Sequence, residues 1–407
     1  MPHVKIRPEL CYRCKTFKHL CGLPTCPVKE RLKVVARTFA IVSVNKRVYG
    51  ASPPSGVVGE HAYPNVPTMV NVPPDVVSER AREFENPPEW WMRGLSLDDI
   101  VKIRSSMVSI VDRYNVRDVE KLIEREIALT QVASRPVDLE VNVEKIIDRS
   151  ILLDLKLLPL SIRVRGEVKV SSNPRIDRVV EKVIYDQDLK ARDAVLYLYE
   201  HGVDVYTIQR AFSFGLLGTR RFRKLVPTRW AITAVDRILT EHLRARVRKL
   251  PVLNRYYVYQ FSYLNNKFTV VLLPENLRVY WIEFWYSRSG FCDRPVLSVE
   301  IEEDLKGNVE TMDGGFEAAR MGLLEAMFKH GFQARAIIVR EILPEYYIGV
   351  GNWHIREDMR HILDTRPVVC TDDPREVIET VRKILHPDVV QEVERIIMKN
   401  LKQAKLI

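Results

Sequence analysis

Four segments rich in aromatic and β-branched residues follow one another between Tyr256 and Glu303, and they decide the fold class. They read YYVYQFSY (256–263), KFTVVLL (267–273), VYWIEFWYS (279–287) and VLSVEIEE (296–303). Asn265 and Asn266, between the first two, are typical of a tight turn. We therefore expect an antiparallel meander, with ARAIIVREI (334–342) as one more buried strand.

The segments outside this region alternate between helical and strand patterns. Ser96 and Asp99 form a capping-box pattern that predicts a helix from there to about Tyr114. Further segments are assigned by periodicity. Helices are expected at about 116–133, 175–185, 188–201, 316–330 and 374–404, the last broken at His386-Pro387, and strands at 36–42, 137–143 and 162–170.

Composition describes an ordinary globular protein with a basic bias. The 407 residues include 63 Lys and Arg against 53 Asp and Glu, a net charge of +10 that favours nucleic acid or another anionic partner. No apolar run approaches the ~20 residues that span a bilayer, and MPHVKIRPEL (1–10) lacks a hydrophobic signal region. We expect a cytoplasmic protein with no membrane partner.

Four of the six cysteines lie in the first 26 residues, which favours a metal site over a disulfide framework. Cys11, Cys14, Cys21 and Cys26 form two close pairs, as a closed tetrahedral zinc site requires. His3 or His19 in place of one cysteine, and reduced thiols without metal, stay open as alternatives. The interpretation we carry forward is a structural zinc, and no role is assigned to Cys292 or Cys370.

These patterns together predict an α+β protein with an N-terminal zinc knuckle, a mostly helical middle, an antiparallel sheet with flanking helices and a helical C-terminal tail. The expected boundaries are 1–35 for the zinc-binding knuckle, 36–373 for the α+β core and 374–407 for the tail. Within the core, the helical part runs over about 90–250 and the sheet over about 255–345.

The stretch Gly215–Asp236, GLLGTRRFRKLVPTRWAITAVD, is the strongest candidate for a binding site. It places Arg220, Arg221, Arg223 and Lys224 within five residues, after a glycine turn and before a long amphipathic helix with Thr228 as the expected N-cap. Basic residues continue along that helix, Arg244 among them. This charge suits a polyanion such as DNA, whereas a solvated basic surface is the alternative.

Several strings together resemble the archaeal Nre family of DNA repair proteins over nearly the whole chain. They are CGLPTCP (21–27), ASPPSGVVGEHAYPNV (51–66), LLGTRRFRKLVPTRWAITAVD (216–236), GGFEAARMGLLEAM (314–327) and QARAIIVREILPEYYIGVGNWHIREDMR (333–360). The resemblance implies a cytoplasmic protein of the DNA-damage response, a metal-binding module that contacts DNA, and a C-terminal peptide that docks on the replication sliding clamp.

The clamp-binding peptide of such proteins has the pattern Gln-x-x-aliphatic-x-x-aromatic-aromatic. Gln403 and Leu406 match its first two anchors, with Ile407 beside them, but the sequence stops before the aromatic pair. Aromatic anchors usually carry much of such an interface. Clamp binding and a plain helix end therefore both remain open for these residues.

The second hypothesis is an enzyme or sensor that binds a nucleotide or a phosphorylated ligand in an arginine-lined pocket. Its candidates are arginines in the family strings, two serines of the proline loop (52–59) and one acidic residue: Ser52, Ser55, Arg229, Asp236, Arg320, Arg340 and Arg356. Arginine suits phosphate because it donates two parallel hydrogen bonds, but each of these residues alone is more often an ion-pair partner. The sequence contains no Ser-His-Asp order, zincin helix or Walker-type loop, so it predicts no reaction.

Overall fold

The computed structural model of the protein describes residues 14, 18–20, 26–147, 161–287, 289, 294–304 and 306–404. The chain forms two compact units. We call Pro27–Leu239 the N-terminal unit, and the unit that contains Thr240–Ile407 the C-terminal unit. The boundary falls within one long helix, Thr228–Val247.

The N-terminal unit is built on a six-stranded sheet in the order β1-β5-β6-β4-β3-β2. Its strands are β1 (Arg47–Ser52), β2 (Val57–Val58), β3 (Asn65–Val72), β4 (Val108–Asn115), β5 (Val137–Ile146) and β6 (Ile162–Val170). Neighbouring strands are antiparallel except β4 and β6, which run parallel with Val108 opposite Ile162.

The helices up to the unit boundary are mostly short. They are α1 (Pro27–Asn45), α2 (Pro87–Met92), α3 (Leu97–Ser105), α4 (Val119–Glu124), α5 (Ile127–Thr130), α6 (Arg178–Tyr185), α7 (Ala191–Glu200), α8 (Val205–Ser213) and α9 (Thr228–Val247). Helices form most of the regular structure in the middle of the chain, as predicted, but the three strands β4, β5 and β6 lie within it as well. The predicted strands at 137–143 and 162–170 are confirmed and join this sheet.

The predicted strand at 36–42 is wrong, since these residues lie within α1. Val35, Thr38 and Val42 are buried, and their spacing of three and four residues is that of one helical face. Pro27 stands at the first position of the helix, where proline is favoured. A helical pattern sustained over 19 residues outweighs the local β-branched content of seven.

The capping box at Ser96 is confirmed, but its helix ends earlier than predicted. The Ser96 hydroxyl accepts from the Asp99 N–H at 3.2 Å, and the Ser96 N–H donates to the Asp99 carboxylate at 3.2 Å. α3 stops at Ser105, and β4 follows with Val108 and Ile110 buried. The expected helix at 116–133 is two short ones, α4 and α5, separated where Glu126 takes a φ of 58°.

The C-terminal unit is built on a second six-stranded sheet, in the order β10-β9-β11-β8-β7-β12. Its strands are β7 (Tyr256–Tyr263), β8 (Asn266–Leu273), β9 (Arg278–Trp285), β10 (Val296–Glu302), β11 (Arg335–Ile342) and β12 (Val369–Thr371). All of the predicted strands form. The predicted meander is wrong, because β11 enters between β8 and β9, antiparallel to the first and parallel to the second.

Burial explains why β11 takes the central position. All eight of its residues are buried, as expected of a strand covered on both faces. The chain reaches β11 through α10 (Gly314–His330), which supplies the crossover that a parallel pair needs. α11 (Trp353–His361) packs on α10 so closely that a Cβ at Gly322 would stand 2.5 Å from the Arg356 carbonyl oxygen.

The helical tail is confirmed as α12 (Pro374–Ile384) and α13 (Pro387–Ala404), separated at the predicted His386-Pro387. Apolar residues of both helices share one core cluster with the sheet, among them Val377, Val381 and Val393. Within the described ranges, no helix is long and apolar enough to cross a membrane.

Candidate nucleic-acid interface

The glycine turn of Gly215–Asp236 is fixed by close packing. Gly215 has a φ of 71° and Gly218 a φ of 102°, which only glycine adopts without strain. A Cβ at Gly215 would lie 2.7 Å from the Val119 side chain and 2.8 Å from the Lys224 carbonyl oxygen. The turn therefore holds the basic residues that follow it against the end of β4 and the start of α4.

Two of the four clustered cations have partners within the unit. The Arg223 guanidinium donates to the carbonyl oxygens of Gly218 at 2.8 Å, Ile184 at 2.7 Å and Asp186 at 2.7 Å. Arg220 donates to the Glu120 carboxylate at 3.0 Å. Arg223 is therefore an anchor of the loop rather than a contact for a ligand.

The other two cations face solvent. Arg221 and Lys224 are exposed, and the Arg221 guanidinium lies 5.7 Å from the centre of the Phe222 ring, which is 75% exposed. The Leu225 N–H donates to the Val116 carbonyl at 2.7 Å, so the segment of the exposed Arg117 runs next to the segment of Lys224. Among the described residues, Arg117, Arg221 and Lys224 form no ion pair.

The predicted N-cap of α9 is shifted by one residue. The Pro227 carbonyl accepts from the N–H groups of Trp230 and Ala231 at 2.8 and 2.9 Å, so Pro227 stands at the cap position and Thr228 is the first helical residue. The Thr228 hydroxyl instead accepts from the Val58 N–H at 2.8 Å and pairs with the Ser213 hydroxyl at 2.9 Å.

The first turn of α9 presents a second cation with an aromatic ring. Arg229 and Trp230 are both exposed. The Trp230 indole N–H donates to the Glu60 carboxylate at 3.1 Å, and the Arg229 guanidinium lies 3.6 Å from the same carboxylate. Glu60 is therefore an anion within the candidate surface, and it fixes the orientation of the indole.

The proline loop points its serines inward. The buried Ser52 hydroxyl donates to the Asn71 carbonyl at 2.7 Å, and the Asn71 amide donates to the Ser55 carbonyl at 2.6 Å. The Ser55 hydroxyl donates to the Pro53 carbonyl at 3.0 Å. These contacts account for both serines as supports of the loop.

The predicted phosphate pocket divides between the two units. Ser52, Ser55, Arg229 and Asp236 belong to the N-terminal unit, and Arg320, Arg340 and Arg356 to the C-terminal unit. Buried Asp236 accepts from the Gln209 amide at 2.8 Å.

The arginines of the C-terminal unit lie in buried ionic networks. Arg320 donates to Glu303 at 2.9 Å and to Glu317 at 2.7 Å. Arg340 donates to Glu283 at 2.8 Å and to the Asn266 amide oxygen at 2.9 Å. Arg356 is buried as well. Carboxylates already pair with Arg320 and Arg340, as buried cations require.

The basic face predicted along α9 is interrupted at Arg244. This side chain is buried and donates to the Glu303 carboxylate at 2.5 Å. Glu303 also accepts from Arg320 and from the Val279 N–H at 2.8 Å. Helical spacing alone did not show that Arg244 is buried while its neighbour Arg246 is exposed.

One cleft of the N-terminal unit was not predicted. It has a volume of about 540 Å³ and is lined in part by Asn86-Pro87-Pro88 and Ser134-Arg135-Pro136, two proline segments that could have marked it. Its charges are balanced. The cations are Arg82, Arg135 and Arg210, and the carboxylates are Glu85, Asp177 and Asp204. This balance gives the cleft no preference for a phosphate.

The predicted zinc and clamp residues fall mostly outside the described residues. Cys14 and Cys26 are described, whereas Cys11 and Cys21 are not. In the described part of the chain, no three His, Cys, Asp or Glu side chains form a group that would hold a metal. Leu406 and Ile407 lie outside it too, and Gln403 is described only as part of α13. Zinc and clamp binding both stay predictions.

The chain belongs to the archaeal Nre family. The model of the Nre N-terminal region matches residues 20–292, and the model of the C-terminal region matches residues 301–407. The resemblance drawn from the sequence strings is thereby confirmed, and the Gly215–Asp236 stretch lies within the N-terminal match.

Similar proteins come from two archaea. The chain is 34% identical to DNA repair protein NreA of Archaeoglobus fulgidus over 366 residues, which cover 88% of this chain and 90% of that protein. It is 32% identical to DNA repair protein NreA of Haloferax volcanii over 352 residues, 83% of each chain. Archaeoglobus fulgidus DNA repair protein NreB is 33% identical over 357 residues, 86% of this chain and 87% of that protein. No solved structure matches significantly.

Proposed function

We propose that this protein acts in DNA repair and binds DNA through the surface formed by Arg117, Arg221, Phe222, Lys224, Arg229 and Trp230. We call this set the 221–230 surface. The names of the relatives support the repair role. The binding site is placed here because four exposed cations accompany two exposed aromatic rings. The Gly215 turn and the hydrogen bond from the Leu225 N–H to the Val116 carbonyl hold the segments together.

Electrostatics favours a phosphate backbone at this surface. Arg117, Arg221 and Lys224 have no ion-pair partner among the described residues, so binding DNA breaks no internal ion pair of theirs. Each phosphate that they neutralise releases a condensed counterion, which makes binding weaker as salt rises. Glu60 and Glu120 oppose this attraction locally, but both already pair with arginines.

The test is a titration of labelled DNA of about 20 nucleotides with the full-length protein, followed by fluorescence anisotropy over about 50–200 mM salt. The double variant Arg221→Ala/Lys224→Ala should bind at least about tenfold more weakly at the lowest salt. The decrease of log affinity with log salt should also become less steep by about 2 in slope, because two phosphates are no longer neutralised.

The matched control is Arg93→Ala/Lys102→Ala, which removes one exposed arginine just after α2 and one exposed lysine of α3, both outside the surface. It changes the net charge equally and should leave both affinity and slope near those of the unmodified protein. Equal reductions in affinity for the two double variants would assign binding to net charge alone, and absence of DNA binding would refute the proposal.

We also propose a structural zinc held by Cys11, Cys14, Cys21 and Cys26. The pairing of these cysteines in sequence supports it, because four thiolates close a tetrahedral zinc site. Elemental analysis of protein purified without chelator should give about one zinc per chain. Cys11→Ala/Cys14→Ala should lose this zinc and Cys370→Ala should keep it, whereas zinc-free native protein would refute the proposal.

A further inference from the structure

We propose that the 221–230 surface binds unpaired DNA and stacks its bases on four exposed rings, Tyr63, Tyr185, Phe222 and Trp230. This inference rests on the proposed function and specifies its substrate. A duplex offers phosphates but keeps its base faces covered by their neighbours, whereas an unpaired strand offers both.

The first observation is how exposed these four rings are. Phe222 is 75% exposed, Tyr185 62%, Tyr63 56% and Trp230 54%. Within the described part of the chain, they are the most exposed Phe, Tyr and Trp side chains, followed by Tyr49 at 47%. A single exposed aromatic residue is ordinary, but a group of them indicates a binding surface.

The second observation is that contacts join the basic stretch, which carries Phe222 and Trp230, to the segments that carry Tyr185 and Tyr63. Arg223 donates to the carbonyl oxygens of Ile184 and Asp186, the two neighbours of Tyr185, and it follows Phe222 directly. The end of α6 is thereby held beside the 3-10 turn Arg220–Phe222. Tyr185 and Phe222 therefore lie on adjoining segments.

Glu60 makes the equivalent connection for the other two rings. Its carboxylate accepts from the Trp230 indole at 3.1 Å and lies 3.6 Å from the Arg229 guanidinium. Tyr63 follows three residues later, in the turn closed by the hydrogen bond from Asn65 N–H to the Ala62 carbonyl at 2.9 Å. The basic stretch thus carries two of the rings, and its contacts reach the segments of the other two, Tyr63 and Tyr185.

The chemistry of the surface favours a nucleic-acid strand over an apolar protein partner. Arg221 and Arg229 immediately precede Phe222 and Trp230 in the sequence, and Lys224 lies two residues beyond Phe222. Cations alternating with rings match a strand whose phosphates alternate with bases. An apolar protein partner would leave these cations without acceptors at the interface.

The experiment compares a single-stranded oligothymidine of about 20 nucleotides with a duplex hairpin of equal charge, both bound to the full-length protein. Phe222→Ala, Tyr185→Ala and Trp230→Ala should each weaken single-strand binding by about 5-fold to 150-fold, the range for loss of one stacked base. Duplex affinity should change less than about twofold.

Conservative variants separate stacking from general disturbance. Phe222→Trp should keep single-strand affinity, because a stacking ring remains. Trp230→Phe should also keep affinity while removing the part of the fluorescence quenching by oligothymidine that comes from Trp230. The control Phe39→Ala, an exposed ring of α1 outside the surface, should change neither measurement.

The outcomes distinguish this inference from the function on which it rests. If single-strand and duplex affinities are equal and the alanine variants are neutral, while Arg221→Ala/Lys224→Ala still weakens binding, stacking is refuted and DNA binding stands. The rings would then be a protein interface. If neither DNA form binds, both proposals are refuted.

Discussion

At the scale of single residues, Arg221 and Arg223 have different roles although they lie two positions apart in one basic run. Arg221 is exposed beside the Phe222 ring, whereas the half-buried Arg223 donates three hydrogen bonds to backbone carbonyls. The guanidinium thereby satisfies backbone acceptors of the loop and of the end of α6 together. The sequence marks both residues only as basic.

This difference predicts unequal costs of substitution. Arg223→Ala should lower the free energy of unfolding of the N-terminal unit by about 1.5–3 kcal/mol, the range for hydrogen bonds made by a charged group. Arg221→Ala should change it by less than about 0.5 kcal/mol, as is usual for exposed positions. Urea denaturation of the two variants gives the comparison, and equal stabilities would contradict the anchoring role of Arg223.

Ser52 and Asp236 illustrate the limit of prediction for the candidate site. Residue type made them plausible pocket residues, but the Asn71 carbonyl and the Gln209 amide are their partners. Hydrogen bonds that join positions 19 and 27 residues apart depend on tertiary structure, which single-residue chemistry does not specify. The basic run itself was found because it is local in sequence.

At the scale of elements, local signals predicted best where they were chemically specific. The Ser96 capping box forms as expected, and the tail divides at His386-Pro387 because proline cannot continue a helix interior. The four strand segments between 256 and 303 form for a similar reason, since their β-branched and aromatic residues suit a pleated, buried surface.

Segments whose apolar residues fit both a helix and a strand were predicted less well. Apolar residues at 100, 103, 107 and 110 fit one continuous helix. The helix nevertheless ends at Ser105, and the buried Met107 and Ile110 lie just before and within the strand β4. β4 forms eight paired positions with β3, and helical periodicity gives no sign of this pairing. The position of β11 between β8 and β9 is equally non-local, because composition identifies a buried strand but not its neighbours.

At the scale of the whole molecule, the boundary between the two family matches differs from the boundary between the two compact units. The N-terminal family match continues to residue 292, whereas the N-terminal unit ends at Leu239. Strands β7, β8 and β9 therefore belong to the C-terminal unit although they lie within the N-terminal match. A boundary inside α9 has no proline, glycine or polar linker to mark it, so sequence alone does not find it.

The response of the whole molecule to acid should depend on one buried histidine of the C-terminal unit. His354 in α11 is fully buried, with Nε2 3.4 Å from the Tyr346 hydroxyl and Nδ1 3.7 Å from the Asp358 carboxylate. Burial holds the pKa of this imidazole well below its ordinary value, and the nearby Arg340 guanidinium lowers that pKa further. The folded state therefore keeps His354 neutral.

Stability should consequently be lost as the pH falls below about 6.5, where the histidine of the unfolded chain begins to bind a proton. The unfolded state then holds more protons, so the free energy of unfolding drops by up to about 1.4 kcal/mol per pH unit through this one group. The Asp364 carboxylate, whose pKa the Lys329 ammonium lowers to about 2, titrates below this window.

Urea unfolding between about pH 8 and pH 5 measures this slope. His354→Gln should be less stable overall, since a buried side chain is replaced, yet its stability should fall less steeply with acid. His201→Gln, which removes an exposed histidine at the end of α7, should keep the full slope. If His354→Gln and the unmodified protein lose stability in parallel, the acid response arises from the accumulating positive charge of a chain that already carries +10 at pH 7.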